Sequence, residues 1–99
     1  MMFKIRFTGE AEDQFLNLQQ SKDKKTQFKA VGKAIAYMNA NFSFPSLKTH
    51  KFDDLQSPFG GDVFESYAQN KTPGAYRIFW TYGPSKAEIT ILAITPHPQ

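Results

Sequence analysis

Cysteine is absent from the chain, which excludes disulfides and thiolate-bound metals. Histidine occurs only twice, which argues against a histidine-rich metal centre. No apolar run approaches the ~20 residues a helix needs to cross a bilayer. Residues 1–8 alternate apolar and polar side chains and lack the apolar stretch of a secretory signal. The phosphate-binding loop, dinucleotide fingerprint, zinc signature and nucleophile elbow are also missing. These absences lead us to expect a cytoplasmic protein without membrane contact, whose chemistry needs no metal or cofactor.

What is present is enough for one modest core. The 99 residues are 40% hydrophobic and include ten Phe, so residues 1–99 are expected to form a single domain without staples. The net charge is only +3, but seven lysines and a single acid, Asp23, lie between Lys22 and Lys51. The acids gather instead in residues 10–13 and 53–62. Such a basic sector suits an anionic partner, nucleic acid or an acidic protein, and equally a solvated helix face.

Phe3, Ile5 and Phe7 alternate with Lys4, Arg6 and Thr8, the pattern of a half-buried strand. Thr8 can cap a following helix whose first turn carries Glu10, Glu12 and Asp13, placed for the positive end of its dipole. Ala11, Phe15 and Leu18 share one face of that helix. Residues 21–23 break it. Phe28, Val31, Ile35 and Met38 recur at helical spacing, and this second helix should end near residues 39–41. Residues 42–61 have no period and hold Pro45, Pro58, Gly60 and Gly61, the composition of a long, functional loop. Three strands follow, at residues 63–69, 75–82 and 88–95, separated by turn-forming segments. The last is almost continuously apolar, as a strand buried on both faces would be. The order β-α-α-β-β-β implies an α+β fold of two layers, a mainly antiparallel sheet with an αα-hairpin on one face.

Polar residues on these strands are the candidate chemistry. Glu65 and Tyr67 point to the same face of their strand. Arg77 stands among Tyr76, Ile78, Phe79 and Trp80, where a charge is either paired across strands or aimed at a ligand. Glu65 lies one hairpin away, and His97 closes the final strand. A carboxylate and an imidazole can move protons near neutral pH, and a guanidinium can bind phosphate oxygens. Those are the parts of metal-free RNA cleavage. A structural Glu65–Arg77 ion pair and a simple tail histidine are the plain alternatives. Side chains of Glu65, Arg77 and His97 on different faces, or a guanidinium buried in the packed interior, would exclude the cleavage role.

Taken in order, the segments resemble the RelE/ParE toxin superfamily over nearly the whole chain. The opening strand runs into Phe7-Thr8-Gly9-Glu10-Ala11. Pro45-Ser46-Leu47-Lys48 follows the second helix. Val63-Phe64-Glu65-Ser66-Tyr67, Ala75-Tyr76-Arg77-Ile78 and Ile94-Thr95-Pro96-His97 match the family's later strands. The resemblance implies a type II toxin–antitoxin toxin, an endoribonuclease that cuts mRNA on the ribosome. It implies Arg77 at the scissile phosphate, Glu65 as general base as in the YoeB-like branch, and His97 as general acid. It places Lys48, His50, Lys51 and Tyr67 near the RNA. Its partners would be a cognate antitoxin, often with an acidic wrapping segment, and mRNA with the ribosome; a homodimer is compatible with it. Pro98 follows His97 where many members have Tyr, and Tyr67 stands where many carry a basic residue. The superfamily also contains ParE-like gyrase poisons, and a relative without activity that only binds an antitoxin is the third reading.

Overall fold

The computed structural model describes residues 2–40 and 44–97. Strand β1 (Lys4–Phe7) leads into helix α1 (Gly9–Gln20) and then α2 (Lys25–Ala40). A 3-10 turn (Pro45–Leu47) precedes β2 (His50–Lys51), and β3 (Val63–Tyr67), β4 (Tyr76–Tyr82) and β5 (Glu88–Pro96) complete the chain. The expected order is present with one addition. The 42–61 segment is not wholly loop, because His50 and Lys51 pair antiparallel with β3. Asn41 lies outside the described residues, so α2 is followed only to Ala40; Pro98, which stands where many members of the resembled family have Tyr, also lies outside them. No helix among the described residues is long and apolar enough to cross a membrane.

The five strands form one sheet in the order β1-β5-β4-β3-β2. Only β1 and β5 run parallel; the other pairs are antiparallel. That parallel contact is what the helix pair makes available. The chain leaves β1, crosses through α1 and α2, builds the meander, and returns beside β1.

Thr8 caps α1 as its sequence suggests, its Oγ1 accepting from the Ala11 amide at 3.1 Å. The same hydroxyl donates to the Leu92 carbonyl at 3.1 Å, tying the helix start to β5. At the far end of α2, the Phe3 amide donates to the Asn39 carbonyl at 3.0 Å, and the Asn39 side-chain amide donates back to the Phe3 carbonyl.

Both helices press on one face of the sheet. Ala11, Leu18, Val31 and Met38 pack there against Ile78, Trp80, Ile89, Ile91 and Ile94, with Phe7, Phe15 and Phe28 closing the rim. The apolar run of β5 hides a change of phase. Ala93 pairs with Phe79 but Ile91 pairs with Trp80, so β5 carries one extra residue, Leu92, at a bulge. The bulge brings Ile89, Ile91 and Ile94 to the same core although strict alternation would split them. Ala93 is left on the opposite face.

Candidate functional site

That opposite, helix-free face carries the polar residues. Pairing fixes which side chains share it. His50 stands opposite Glu65, Glu65 opposite Phe79, Tyr67 opposite Arg77, and Arg77 opposite Thr95. The His97 amide continues the ladder by donating to the Ala75 carbonyl at 2.7 Å. Residues directly opposite, and those two apart on a strand, project to one side. Glu65, Tyr67, Arg77, Thr95 and His97 therefore share a surface, although up to 32 positions separate them in the sequence.

The 52–62 segment covers part of this surface. Phe52 packs on Phe79 with ring centroids 4.7 Å apart. The Thr81 hydroxyl is held at 2.8 Å from both the Ser57 hydroxyl and the Asp62 carbonyl. Between this cover and the end of β5 lies a cleft of about 340 Å³ walled by Phe52, Asp54, Glu65, Arg77, Phe79, Thr95, Pro96 and His97. The structure thus brings the carboxylate, the guanidinium and the imidazole to one cleft.

Arg77 is buried, at 6% exposure, so the expectation of an accessible guanidinium is met only in part: it lies outside the hydrophobic core cluster and walls the cleft. Its Nη1 donates to the Gln69 carbonyl at 2.7 Å, with longer contacts to the Ala75 and Tyr76 carbonyls. The Tyr67 ring covers the guanidinium face. Nε lies 3.7 Å from Glu65 Oε2, an ion-pair distance too long for a hydrogen bond, and is buried without a hydrogen-bond partner. A buried N–H normally finds an acceptor; this one belongs to a side chain that lines the cleft. Nη1 is therefore spent on carbonyls, which fix the guanidinium in place.

Glu65 is also buried, at 8% exposure. Its Oε1 lies 2.7 Å from His50 Nε2, and His50 Nδ1 lies 2.8 Å from the Lys48 carbonyl. His50 thus enters the site as the partner of Glu65, not as an unattached loop residue. Lys48 contributes its carbonyl from a left-handed backbone, φ 47° and ψ 41°. Lys51 is not brought to the cleft. It stands opposite Phe64, whose ring stacks on Trp80 on the helix side, and its Nζ lies 3.3 Å from Asp62 Oδ2.

Sequence reasoning did not single out the Gln69 and Lys48 carbonyls or the Phe52 and Phe79 walls. Backbone carbonyls carry no signal in residue type. Phe79 was within reach, since it lies two residues from Arg77 and so on the same face of β4; Phe52 was not, because it follows a strand of two residues that the sequence does not show.

No family model matches the sequence, and no curated protein matches it. Solved structures do. The YoeB dimer from Staphylococcus aureus is similar with a TM-score of 0.63 at 19% identity, covering 99% of this chain and 100% of that one. The YoeB/ParE toxin from Agrobacterium tumefaciens gives 0.66 at 12% identity, over 97% and 100%. The archaeal RelE–RelB complex from Pyrococcus horikoshii OT3 gives 0.60 at 13% identity, over 97% and 96%. The chain shares its fold with these YoeB, YoeB/ParE and RelE structures.

Proposed function

We propose that this chain, built on the fold of the RelE/ParE toxins, is the toxin of a toxin–antitoxin pair and a metal-independent endoribonuclease acting on mRNA at the ribosome. The observation that carries the reading is the gathering of Glu65, Arg77 and His97 around one cleft on the helix-free face. In the reaction, Glu65 takes the proton of an RNA 2′-hydroxyl, and the 2′-oxygen attacks the adjacent phosphorus. The bond to the 5′-oxygen breaks as His97 protonates that oxygen. The products are a 2′,3′-cyclic phosphate and a 5′-hydroxyl end. Arg77, held by carbonyls and covered by Tyr67, supplies a fixed positive charge beside the phosphate, with no rearrangement needed as negative charge grows there. Tyr67, His50 and Lys48 border the site, and Lys33 of α2 shares a neighbouring pocket with Tyr67, where it suits a phosphate backbone.

The lysine-rich sector of residues 22–51 suits an antitoxin with an acidic segment. Solved structures of similar fold include a YoeB–YefM complex from Staphylococcus aureus, and a partner of that kind is proposed here. Likeness to the YoeB dimer supports association of two copies as a further part of the proposal.

Induction in cells followed by mapping of transcript 5′ ends tests the reading. New 5′-hydroxyl ends within coding regions are expected, absent with Arg77→Ala and His97→Ala, and insensitive to chelators in the purified reaction. DNA damage with intact mRNA would replace the reading with a gyrase poison. Unaffected growth with intact RNA would leave antitoxin binding alone.

A further inference from the structure

We propose that His50 is the positioning residue of Glu65, holding one carboxylate oxygen through a shared proton so that the other is offered to the cleft. The inference rests on the reading of Glu65 as the general base and deepens it.

The proton count follows from the two contacts of the ring. His50 Nδ1 lies 2.8 Å from the Lys48 carbonyl. A carbonyl only accepts, so Nδ1 carries a hydrogen. On the other side, Nε2 lies 2.7 Å from Glu65 Oε1. Two lone pairs would repel at that distance, so one proton lies between them. It sits on nitrogen facing a carboxylate, or on oxygen facing a neutral ring. In both cases Oε1 is engaged, but the general-base role requires the first, since a protonated carboxyl has no anionic oxygen to take a proton from substrate. Oε2, on the side of Arg77 Nε at 3.7 Å, is the oxygen left to take a proton from substrate.

The ring is itself held from behind. His50 is paired in register with Glu65 through β2 and β3. Its neighbour Thr49 has its hydroxyl 2.7 Å from the Ser66 hydroxyl, which accepts from Trp80 Nε1 at 2.8 Å. Trp80 is fully buried in the core. The short edge strand therefore transmits the position of the core to the Glu65 carboxylate. His50 also meets Tyr67 edge-on, with centroids 5.9 Å apart, and Tyr67 in turn covers Arg77. The charged and titratable groups facing the ring are thus Glu65 and Tyr67, with Arg77 beyond them. His50 does not wall the cleft; it acts through Glu65.

The test compares His50→Ala, His50→Asn and His50→Gln in steady-state cleavage of a short RNA, free or on programmed ribosomes. Thermal unfolding verifies that each variant folds. Ala and Asn, which cannot reach Oε1, are expected to lower kcat about 10- to 100-fold, the effect of a misplaced base, with little change in KM. Gln reaches Oε1 with an amide N–H and should restore most of kcat. A kcat unchanged in His50→Ala while Glu65→Gln abolishes cleavage would overturn the positioning role and leave the proposed function standing. Full cleavage by Glu65→Gln would overturn the general base and this inference with it. A readout independent of activity is the ring 15N spectrum of the folded chain. It should show the His50 proton on Nδ1, and an Nε2 signal that moves on Glu65→Gln. A hydrogen on Nε2 alone, or an Nε2 signal indifferent to that substitution, overturns the shared proton even if no RNA is cut.

Discussion

Tyr67 lies flat against Arg77, the guanidinium carbon 3.6 Å from the centre of the ring. The two residues face each other across β3 and β4. The guanidinium gains a π-face on one side, and carbonyls, of Gln69 above all, take up Nη1. A buried charge is tolerated only when it is satisfied in this way.

Removing the ring should therefore cost stability and site order together. Tyr67→Ala is expected to destabilise the fold by about 1–2 kcal/mol, a cation–π contact plus lost burial. Tyr67→Phe keeps the π-face and should stay within about 0.5 kcal/mol of the parent. Urea unfolding of both variants checks this; equal losses would show that the hydroxyl, not the ring, matters.

Ser66 connects the core to the site-bearing segment. It accepts from Trp80 Nε1 and shares a hydrogen bond with Thr49. Ser66→Ala removes that oxygen from a fully buried position and should destabilise by about 1–3 kcal/mol. Loss of the Thr49 contact should also raise hydrogen exchange at the His50 and Lys51 amides more than at those of β4 and β5.

Gly83 joins β4 to the turn before β5 with φ +124°, and a Cβ there would fall 2.6 Å from Phe59 Cδ2. Few L-residues adopt that backbone, and Phe59 leaves no space. Gly83→Ala is expected to cost about 1–3 kcal/mol. The double variant with Phe59→Ala should recover only the steric share, as read by paired denaturation curves.

Glu88 gives the pH dependence a named contributor. The Ser85 hydroxyl, then the Arg6 guanidinium, holds its carboxyl below the usual carboxylate range. Arg6 Nη1 donates to Glu88 Oε2 at 2.9 Å, linking parallel strands β1 and β5. A carboxyl with a folded-state value below its unfolded one contributes stability above the unfolded value. That contribution fades as pH falls through the folded value. Glu88→Gln should flatten this part of the acid-side loss of stability and leave the neutral-to-alkaline slope unchanged. Melting temperature against pH for the two proteins is the measurement.

Both helices and the four longer strands were legible because each buries a continuous face over several residues. Ala11 and Leu18 on α1, or Val31, Ala34 and Met38 on α2, repeat at helical spacing and are buried as that spacing requires. Strand β2 was not legible. Two residues, His50 and Lys51, carry no period, and they are a strand only because β3 supplies hydrogen-bonding partners. The same alternation sends Lys51 to Asp62 and His50 to Glu65, so neighbours proposed together for one RNA surface part company. The bulge at Leu92 was equally hidden, since an unbroken apolar run shows no phase.

For the candidate site, residue chemistry was readable and connectivity was not. Types and order alone determined that Glu65 and Arg77 would sit on strands of an α+β domain and His97 just past the end of the last one, because alternation and turn residues act over a few positions. Only the tertiary structure decided that His50 would bind Glu65, that Arg77 would bury its Nη1 among carbonyls, and that Phe52 and Phe79 would wall the cleft. Those contacts join distant segments. Their geometry is set by strand register and by how the chain packs across the sheet, which no local pattern encodes.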